Sequence, residues 1–206
     1  LGLLPSYLEQ ENSSLIYMVN YLIQKSNRQE SGFYLDDYKK LYDLIIKLEK
    51  TEKKIILIGV SYALLDFIEI FPLKTKNLVI IETGGMKGRR KEITREELHY
   101  KLKKGFSSNN IQSEYGMTEL LSQAYSKTNG IFKSPSWLKV FVRDTNNPLS
   151  VNLKGKGALN FIDLANVNSC SFIASDDIGE VYQDSSFKVL GRLSDSEIRG
   201  CNLMFN

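Results

Sequence analysis

The residues best suited to chemistry lie at 114–119, where a tyrosine, a glycine, a hydroxyl and a carboxylate follow one another at the end of a predicted strand. In open parallel sheets, ligands bind beyond the carboxyl ends of the strands. Tyr115 could offer an aromatic face to a base, Thr118 a hydroxyl to a phosphate, and Glu119 an oxygen ligand to Mg²⁺. Gly116 would let the backbone approach the ligand closely. The run predicts a nucleotide site.

Further segments combine glycine with a polar side chain. Gly84 and Gly85 follow another predicted strand upstream, so we expect them beside the first run. Downstream, Asp177 opens an Asp-Ile-Gly sequence, and its carboxylate could accept hydrogen bonds from ribose hydroxyls. Arg192, after a glycine, could bring a cation to the same nucleotide. Each segment alone is also typical of an ordinary turn, but their order and placement favour one site.

The elements that must position these residues alternate in type. Apolar residues recur at helical spacing after Ser13 or Ser14 and again after Asp36 or Asp37, which predicts two amphipathic helices. Short apolar runs then alternate with helical segments, which predicts an α/β fold with a doubly wound, mostly parallel sheet flanked by helices. The predicted strands are residues 55–58, 77–81 and 111–115, and the predicted helices between them are residues 63–71 and 94–105.

After about residue 130 the texture changes to short β-like runs separated by Gly, Asn, Asp and Ser. These runs are residues 137–143, 158–163, 170–174, 180–182 and 187–190. We therefore expect residues 1–130 to form the α/β layer that binds the nucleotide. Residues 131–206 are expected to form a smaller, β-rich lobe.

Composition excludes several classes of function. The 206 residues are 42% hydrophobic, enough to bury a sizeable core, and a net charge of +3 is too small to indicate a nucleic-acid partner. No apolar run is long enough to span a membrane, and no secretory signal is seen, so we expect a cytoplasmic protein. Cys170 and Cys201 are then expected to be free thiols.

The motifs at 115–119, 177–179 and 191–192 together resemble the adenylate-forming superfamily of acyl and aryl ligases. Two longer segments, residues 82–93 and 197–203, are similar to the acyl-protein synthetases of bacterial bioluminescence, also called long-chain-fatty-acid luciferin-component ligases. The chain also resembles the phenylacetate-CoA ligases, which are related to these synthetases. The resemblance extends over nearly the whole chain.

The resemblance implies that a fatty acid or other carboxylate reacts with ATP to give an acyl adenylate and pyrophosphate. By the family pattern, Tyr115 would stack near the adenine. Thr118 and Glu119 would serve the phosphates and Mg²⁺. Asp177 and Arg192 would hold the ribose. Catalysis would consist of positioning and charge stabilisation as the carboxylate meets the α-phosphate.

The resemblance also implies a second step, in which the acyl group passes to a thiol. Cys201 occupies the place of the cysteine that accepts the acyl group in the bioluminescence relatives, and CoA is the other candidate acceptor. An acyl-transfer partner protein, a reductase or a thioesterase, is implied as well. The superfamily's Ser/Thr/Gly-rich phosphate loop is not found in residues 1–206, so we expect this chain to be part of a longer protein.

Two other functions stay open. One is a CoA ligase like the phenylacetate-CoA ligases, or an acyltransferase serving surface lipid or polysaccharide. The other is a non-catalytic domain that binds an acyl group or a nucleotide. His99, the single histidine, is predicted to be a surface or hydrogen-bonded helix residue. Ser61 lacks the second glycine of a nucleophile elbow, so a helix cap or an acyl-pocket wall is favoured there.

Overall fold

The structure is a computed structural model that describes residues 1–4, 13–35, 37–86 and 88–193. Two compact units are found: residues 1–90 with 96–112, and residues 91–95 with the chain from Ser113 onward. Asp36, the segment 197–203 and Cys201 lie outside the described residues. Among the helices of the described ranges, none is both long and apolar enough to cross a membrane.

The first unit begins with elements whose starts follow local capping rules. The helix after β1 has Ser13 as its N-cap, whose hydroxyl accepts a hydrogen bond from the Ile16 amide. Asp37 caps the next helix through the Lys40 amide. Both helices are confirmed. The elements in chain order are β1 (Gly2–Leu3), α1 (Ser14–Ser26), α2 (Tyr38–Glu49), β2 (Ile55–Val60), α3 (Ser61–Ile70), β3 (Leu78–Thr83), α4 (Arg95–Phe106) and β4 (Ile111–Tyr115).

Strands β1, β2 and β3 run parallel, with Ile55 opposite Leu78 at the start of the longer pair. The predicted strands at residues 55–58 and 77–81 are therefore confirmed as parallel neighbours. The two faces of β2 are not equally covered, because Ile56 is 50% exposed whereas Leu57 is fully buried. The β3 strand extends beyond its predicted end to Thr83, which brings Glu82 into the sheet.

The core of the first unit lies around α3, which buries most of its residues. Phe67 of α3 stacks on Phe106 at the end of α4, with ring centroids 6.0 Å apart, and meets Tyr38 of α2 edge to face. The amide of Leu73 donates to the carbonyl of Gly105, which fixes the chain after α3 beside the end of α4. These apolar and backbone contacts hold both crossover helices in place.

The second unit is antiparallel and includes β4 from Ser113 onward. Its elements are β5 (Ala124–Ser126), β6 (Ile131–Lys133), β7 (Leu138–Arg143), β8 (Val151–Asn152), β9 (Gly155–Asp163), a short 3-10 helix (Leu164–Asn166), β10 (Phe172–Val181) and β11 (Phe187–Arg192). The strand order is β4-β5-β6-β11-β10-β9-β7-β8. The predicted fold class, an α/β layer followed by a β-rich lobe, is confirmed.

Strand β10 is one long strand where the sequence predicts two shorter runs. Its pairing with β9 shifts between Ala174 and Ile178, and its pairing with β11 shifts between Ile178 and Gly179. A Cβ atom at Gly179 would lie 2.5 Å from the backbone oxygen of Lys188, so the close approach of β11 requires glycine. The irregular stretch contains Asp177, whose direction is therefore set by the bulges.

Candidate active site

Tyr115 ends β4 with its ring in an aromatic cluster and its hydroxyl on a carboxylate. The ring stacks on Phe161 at 5.8 Å and contacts Phe132 and Phe187, and only 5% of the residue is exposed. The hydroxyl donates to Asp177 Oδ2 at 2.6 Å. The sequence-predicted residues Tyr115 and Asp177 are thus in direct contact, although 62 positions separate them.

Arg192 joins this pair from β11. It is the register partner of Asp177, and its Nε lies 3.9 Å from Asp177 Oδ1, while Nη2 lies 3.8 Å from Asp176 Oδ2. The Nε atom is buried and makes no hydrogen bond to any described residue. A buried guanidinium N–H without an acceptor is costly, so this group is suited to donate a hydrogen bond to a ligand oxygen.

Thr118 and Glu119 are exposed on the turn after β4. The Leu120 amide closes that turn on the Met117 carbonyl at 3.1 Å, and Leu120 is buried in the core of the second unit. The turn thus anchors its apolar residue and presents a hydroxyl and a carboxylate outward. Among the described residues there is no group of three or more His, Cys, Asp or Glu side chains arranged to hold a metal ion.

Asp163, which the sequence reasoning did not single out, holds the chain that follows this turn. Its carboxylate is fully buried at the end of β9. Oδ2 accepts hydrogen bonds from the amides of Leu121 and Ser122, at 3.0 and 2.9 Å. Oδ1 accepts from the Ser122 hydroxyl at 2.7 Å and from the Ala165 amide at 3.1 Å. A position at the end of a predicted strand was the available signal.

The environment of Asp163 favours its charged form. Burial by itself raises the pKa of this carboxyl, but the hydrogen bonds from Ser122, Ala165 and Leu121 outweigh burial and lower the pKa below its ordinary value. Trp137 extends the network, since its Nε1 donates to the Ser122 hydroxyl at 3.0 Å. The carboxylate is thus charged at neutral pH and fully hydrogen-bonded.

Gly84 and Gly85 lie after β3 in the first unit, and one of them needs glycine for its backbone. Gly84 has φ 65°, in the left-handed region that costs other residues about 1–2 kcal/mol. Its carbonyl accepts a hydrogen bond from the Ser61 hydroxyl at 3.1 Å. Ser61 is the first residue of α3, whose N-cap is Val60, so the predicted cap role of Ser61 is wrong. The hydroxyl ties the glycine turn to the helix instead.

A buried polar cluster lies beneath that turn. The Ser61 hydroxyl is also 3.3 Å from Glu82 Oε2, and His99 Nε2 is 3.3 Å from Glu82 Oε1. Ser61, Glu82 and His99 are 1%, 4% and 9% exposed. The predicted hydrogen-bonded helix position of His99 is confirmed. Because Glu82 lies between the serine and the histidine, the arrangement differs from a nucleophile-histidine-acid triad.

The loop after the glycines is also held by α3. Arg90 donates two hydrogen bonds to Glu69, at 2.7 and 2.5 Å, and one to Asp66 at 2.7 Å. Hydrogen bonding to Arg90 lowers the pKa of Glu69. Arg90 therefore stabilises the first unit's own structure. Its neighbour Arg89 lies over the ring of Tyr62, with its guanidinium carbon 5.2 Å from the ring centroid.

Residues 12–206 match the model of the family described as acyl-protein synthetase, LuxE. The chain belongs to the acyl-protein synthetase family. No curated protein sequence matches it.

Solved structures similar to this acyl-protein synthetase chain are adenylate-forming ligases. Coronafacic acid ligase from Pectobacterium brasiliense is 17% identical, with a TM-score of 0.54 over 78% of this chain and 33% of that one. ATP-bound MatB from Rhodopseudomonas palustris is 16% identical, with a TM-score of 0.54 over 76% and 33%. At this identity the likeness shows the fold. The chain spans about a third of the length of either structure.

The structure brings together part of the set predicted from the acyl-protein synthetase resemblance. Tyr115, Asp177 and Arg192 form one buried polar cluster in the second unit. Gly116, Thr118 and Glu119 follow Tyr115 in the same unit, whereas Gly84 and Gly85 belong to the first. Cys201 lies outside the described residues.

Proposed function

We propose that the full-length protein is an ATP-dependent ligase that activates a fatty acid. The carboxylate oxygen attacks the α-phosphorus of ATP, the bond to the β,γ-pyrophosphate breaks, and acyl adenylate and pyrophosphate result. A thiolate then attacks the acyl carbon, and AMP leaves. The observation that carries the proposal is the match of residues 12–206 to the acyl-protein synthetase family. The convergence of Tyr115, Asp177 and Arg192 supports it.

The nucleotide would meet Asp177 and Arg192 through its ribose. Asp177 has acceptor oxygens for ribose hydroxyls, and Arg192 Nε is a buried donor without an acceptor among the described residues. Tyr115 would lie beside the nucleotide. Its burial favours a role through its hydroxyl and Asp177 over contact through an open ring face.

Magnesium would sit on Glu119. Mg²⁺ in phosphate-transferring sites is held by one or two carboxylates together with substrate phosphates and waters, so one exposed carboxylate beside a threonine hydroxyl fits the chemistry of the ion. The ion would neutralise charge on the leaving pyrophosphate. Thr118 would donate to a phosphate oxygen, and Gly116 would leave room for the backbone to approach the nucleotide.

The activation step is tested by pyrophosphate exchange. The full-length protein is incubated with ATP, Mg²⁺, labelled pyrophosphate and a series of fatty acids or short carboxylates. Exchange of label into ATP that depends on the acid is the expected result. If no carboxylate supports exchange and calorimetry detects no heat with Mg²⁺ and ATP, the ligase proposal is wrong. A binding domain without catalysis would give heat and no exchange.

The acceptor is tested with the two cysteines. We propose Cys201 as the acceptor, so Cys201→Ser should abolish covalent labelling by a radioactive fatty acid while pyrophosphate exchange continues. Cys170→Ser is the matched control, because Cys170 is an exposed free cysteine in the second unit. Labelling that survives Cys201→Ser would exclude this role. Rapid formation of acyl-CoA in its place would favour the CoA ligase.

A further inference from the structure

A second set of contacts fixes the turn that carries Thr118 and Glu119. The backbone carbonyl of Glu119 accepts a hydrogen bond from the Asn166 side chain at 2.7 Å. Two and three positions later, the amides of Leu121 and Ser122 donate to Asp163. The chain is thus held on both sides of the buried Leu120 by the segment that ends β9 and begins the 3-10 helix.

We infer that Asp163 is a positioning residue for the Mg²⁺ and phosphate ligands of the proposed ligase. The inference rests on the proposed function, and it concerns the direction in which Glu119 and Thr118 point. The hydrogen bonds described for Asp163 come from Leu121, Ser122 and Ala165, which follow the two ligand residues in the chain. Asp163 acts through the backbone at Leu121 and Ser122, so it sets where the turn lies.

The hydrogen bonds that Asp163 accepts explain why a carboxylate is needed at this position. Four donors converge on two oxygens, and three of these donors are backbone amides, which remain when the side chain of the donor residue is truncated. A carboxylate is the side chain that offers acceptors on both oxygens and no donor. An asparagine has one accepting oxygen and no charge, so its NH₂ group would face at least one of these donors and the remaining hydrogen bonds would be weaker, which would loosen the hold on the turn.

The residues that bind the turn are themselves held by further hydrogen bonds. Asn166 is itself oriented by Ser169, whose hydroxyl donates to its Oδ1 at 2.5 Å. Trp137 is 52% exposed, but its indole nitrogen reaches the Ser122 hydroxyl. Ser169 therefore orients Asn166, and Trp137 orients the Ser122 hydroxyl that binds Asp163. Such outer contacts keep a binding side chain within the small tolerance that catalysis demands.

The test compares the full-length wild-type protein with Asp163→Asn. Pyrophosphate exchange is measured against Mg²⁺ concentration at fixed ATP, and against fatty-acid concentration at saturating Mg²⁺. We expect the Mg²⁺ concentration for half-maximal exchange to rise on the order of tenfold or more, because a displacement of about 1 Å can cost a hundredfold. The KM for the fatty acid should stay unchanged. General loss of structure would alter both.

The matched control is Asp144→Asn. Asp144 is an exposed turn aspartate of the same unit that also accepts two backbone hydrogen bonds, from Asn146 and Asn147. We expect wild-type dependence on both Mg²⁺ and fatty acid. Ser122→Ala is the milder variant, since it removes one of the four bonds to Asp163, and it should shift the Mg²⁺ dependence in the same direction by less.

Hydrogen exchange supplies a readout that does not depend on activity. The amides of Leu121 and Ser122 should lose protection in Asp163→Asn, whereas amides of β7 and β9 stay protected. Unchanged protection at these two amides would overturn the inference. So would an active, folded Asp163→Asn protein with wild-type Mg²⁺ dependence, and that result would leave the proposed function intact. If the wild-type protein showed no pyrophosphate exchange with any carboxylate, the proposed function would be wrong, and the positioning role with it.

Discussion

The hydroxyl of Tyr115 donates to Asp177 at 2.6 Å, and both residues are at least 95% buried. The bond links the aromatic core of the second unit to the bulged stretch of β10. The position of the proposed ribose acceptor therefore depends on how Phe132, Phe161 and Phe187 pack around the tyrosine ring.

Tyr115→Phe tests this link. The substitution keeps the ring and its packing but removes the donor to Asp177. We expect a loss of about 1–3 kcal/mol in the free energy of unfolding, because a buried carboxylate loses a hydrogen bond. The KM for ATP should rise severalfold with little change in the KM for the fatty acid. Urea unfolding and pyrophosphate exchange measure the two effects.

Tyr182→Phe is the control for that variant. Tyr182 also donates to a carboxylate of the second unit, Glu180, but at 3.5 Å and in a more exposed position. Neither the unfolding free energy nor the KM for ATP should change appreciably. Equal effects in the two variants would show that Tyr115 has no special relation to the nucleotide.

Local signals in the sequence predicted much of the first unit. The caps Ser13 and Asp37 predicted the starts of α1 and α2, and residues 111–115 before Gly116 were predicted as the strand that is β4. These features depend on neighbours a few residues away. Strands β5 and β6 were not predicted because each has only three residues, and such strands are stabilised mainly by pairing with distant segments.

The site was predicted only in part, because its contacts also join residues that are distant in the sequence. Motif resemblance singled out Tyr115 and Asp177, but not the hydrogen bond between them, because that contact joins residues 62 positions apart. Asp163 was missed because its role depends on hydrogen bonds from Leu121 and Ser122, which are 42 and 41 positions away in the sequence. Only the antiparallel arrangement of the second unit brings these donors to its carboxylate.

Ser61→Ala should loosen the glycine turn of the first unit. The hydroxyl binds both Glu82 and the Gly84 carbonyl, so its removal leaves a buried carboxylate and a carbonyl with one donor fewer. We expect a cost of about 1–3 kcal/mol in unfolding free energy. Hydrogen exchange should increase at residues 84–86. Ser26→Ala is the control, because the Ser26 hydroxyl bonds a helix carbonyl at an exposed site; a comparable loss there would contradict the argument.

Gly179→Ala should destabilise the second unit through its backbone. The new Cβ would lie 2.5 Å from the Lys188 carbonyl oxygen and 2.8 Å from the Leu159 side chain, so β10 and β11 would have to separate. Overpacking of this kind costs about 1–3 kcal/mol. Gly32→Ala is the control, since its Cβ would meet only the Tyr34 ring, at 4.0 Å. Thermal unfolding of both variants measures the difference, and equal melting temperatures would refute the steric explanation.

The lowered pKa of Asp163 predicts how stability depends on pH. The folded-state pKa lies below the ordinary value of 3.8, so the charged form contributes stability that is fully present above pH 3.8. That contribution is lost as the pH falls through the folded-state pKa. In Asp163→Asn no charge titrates at this position. The difference in unfolding free energy between wild type and variant should therefore be constant from about pH 7 to about pH 5 and shrink below pH 3.8, as measured by urea unfolding at each pH.

Asp184 provides the comparison that separates burial from hydrogen bonding. The pKa of Asp184 is also lowered, first by the hydrogen bond from the Ser186 side chain and then by that from its amide, but the carboxylate lies at the surface. Solvent screens its charge, and water replaces the lost hydrogen bonds. We therefore expect Asp184→Asn to change the pH profile of unfolding much less than Asp163→Asn. Matching profiles for the two variants would mean that the buried network around Asp163 adds nothing beyond an ordinary turn aspartate.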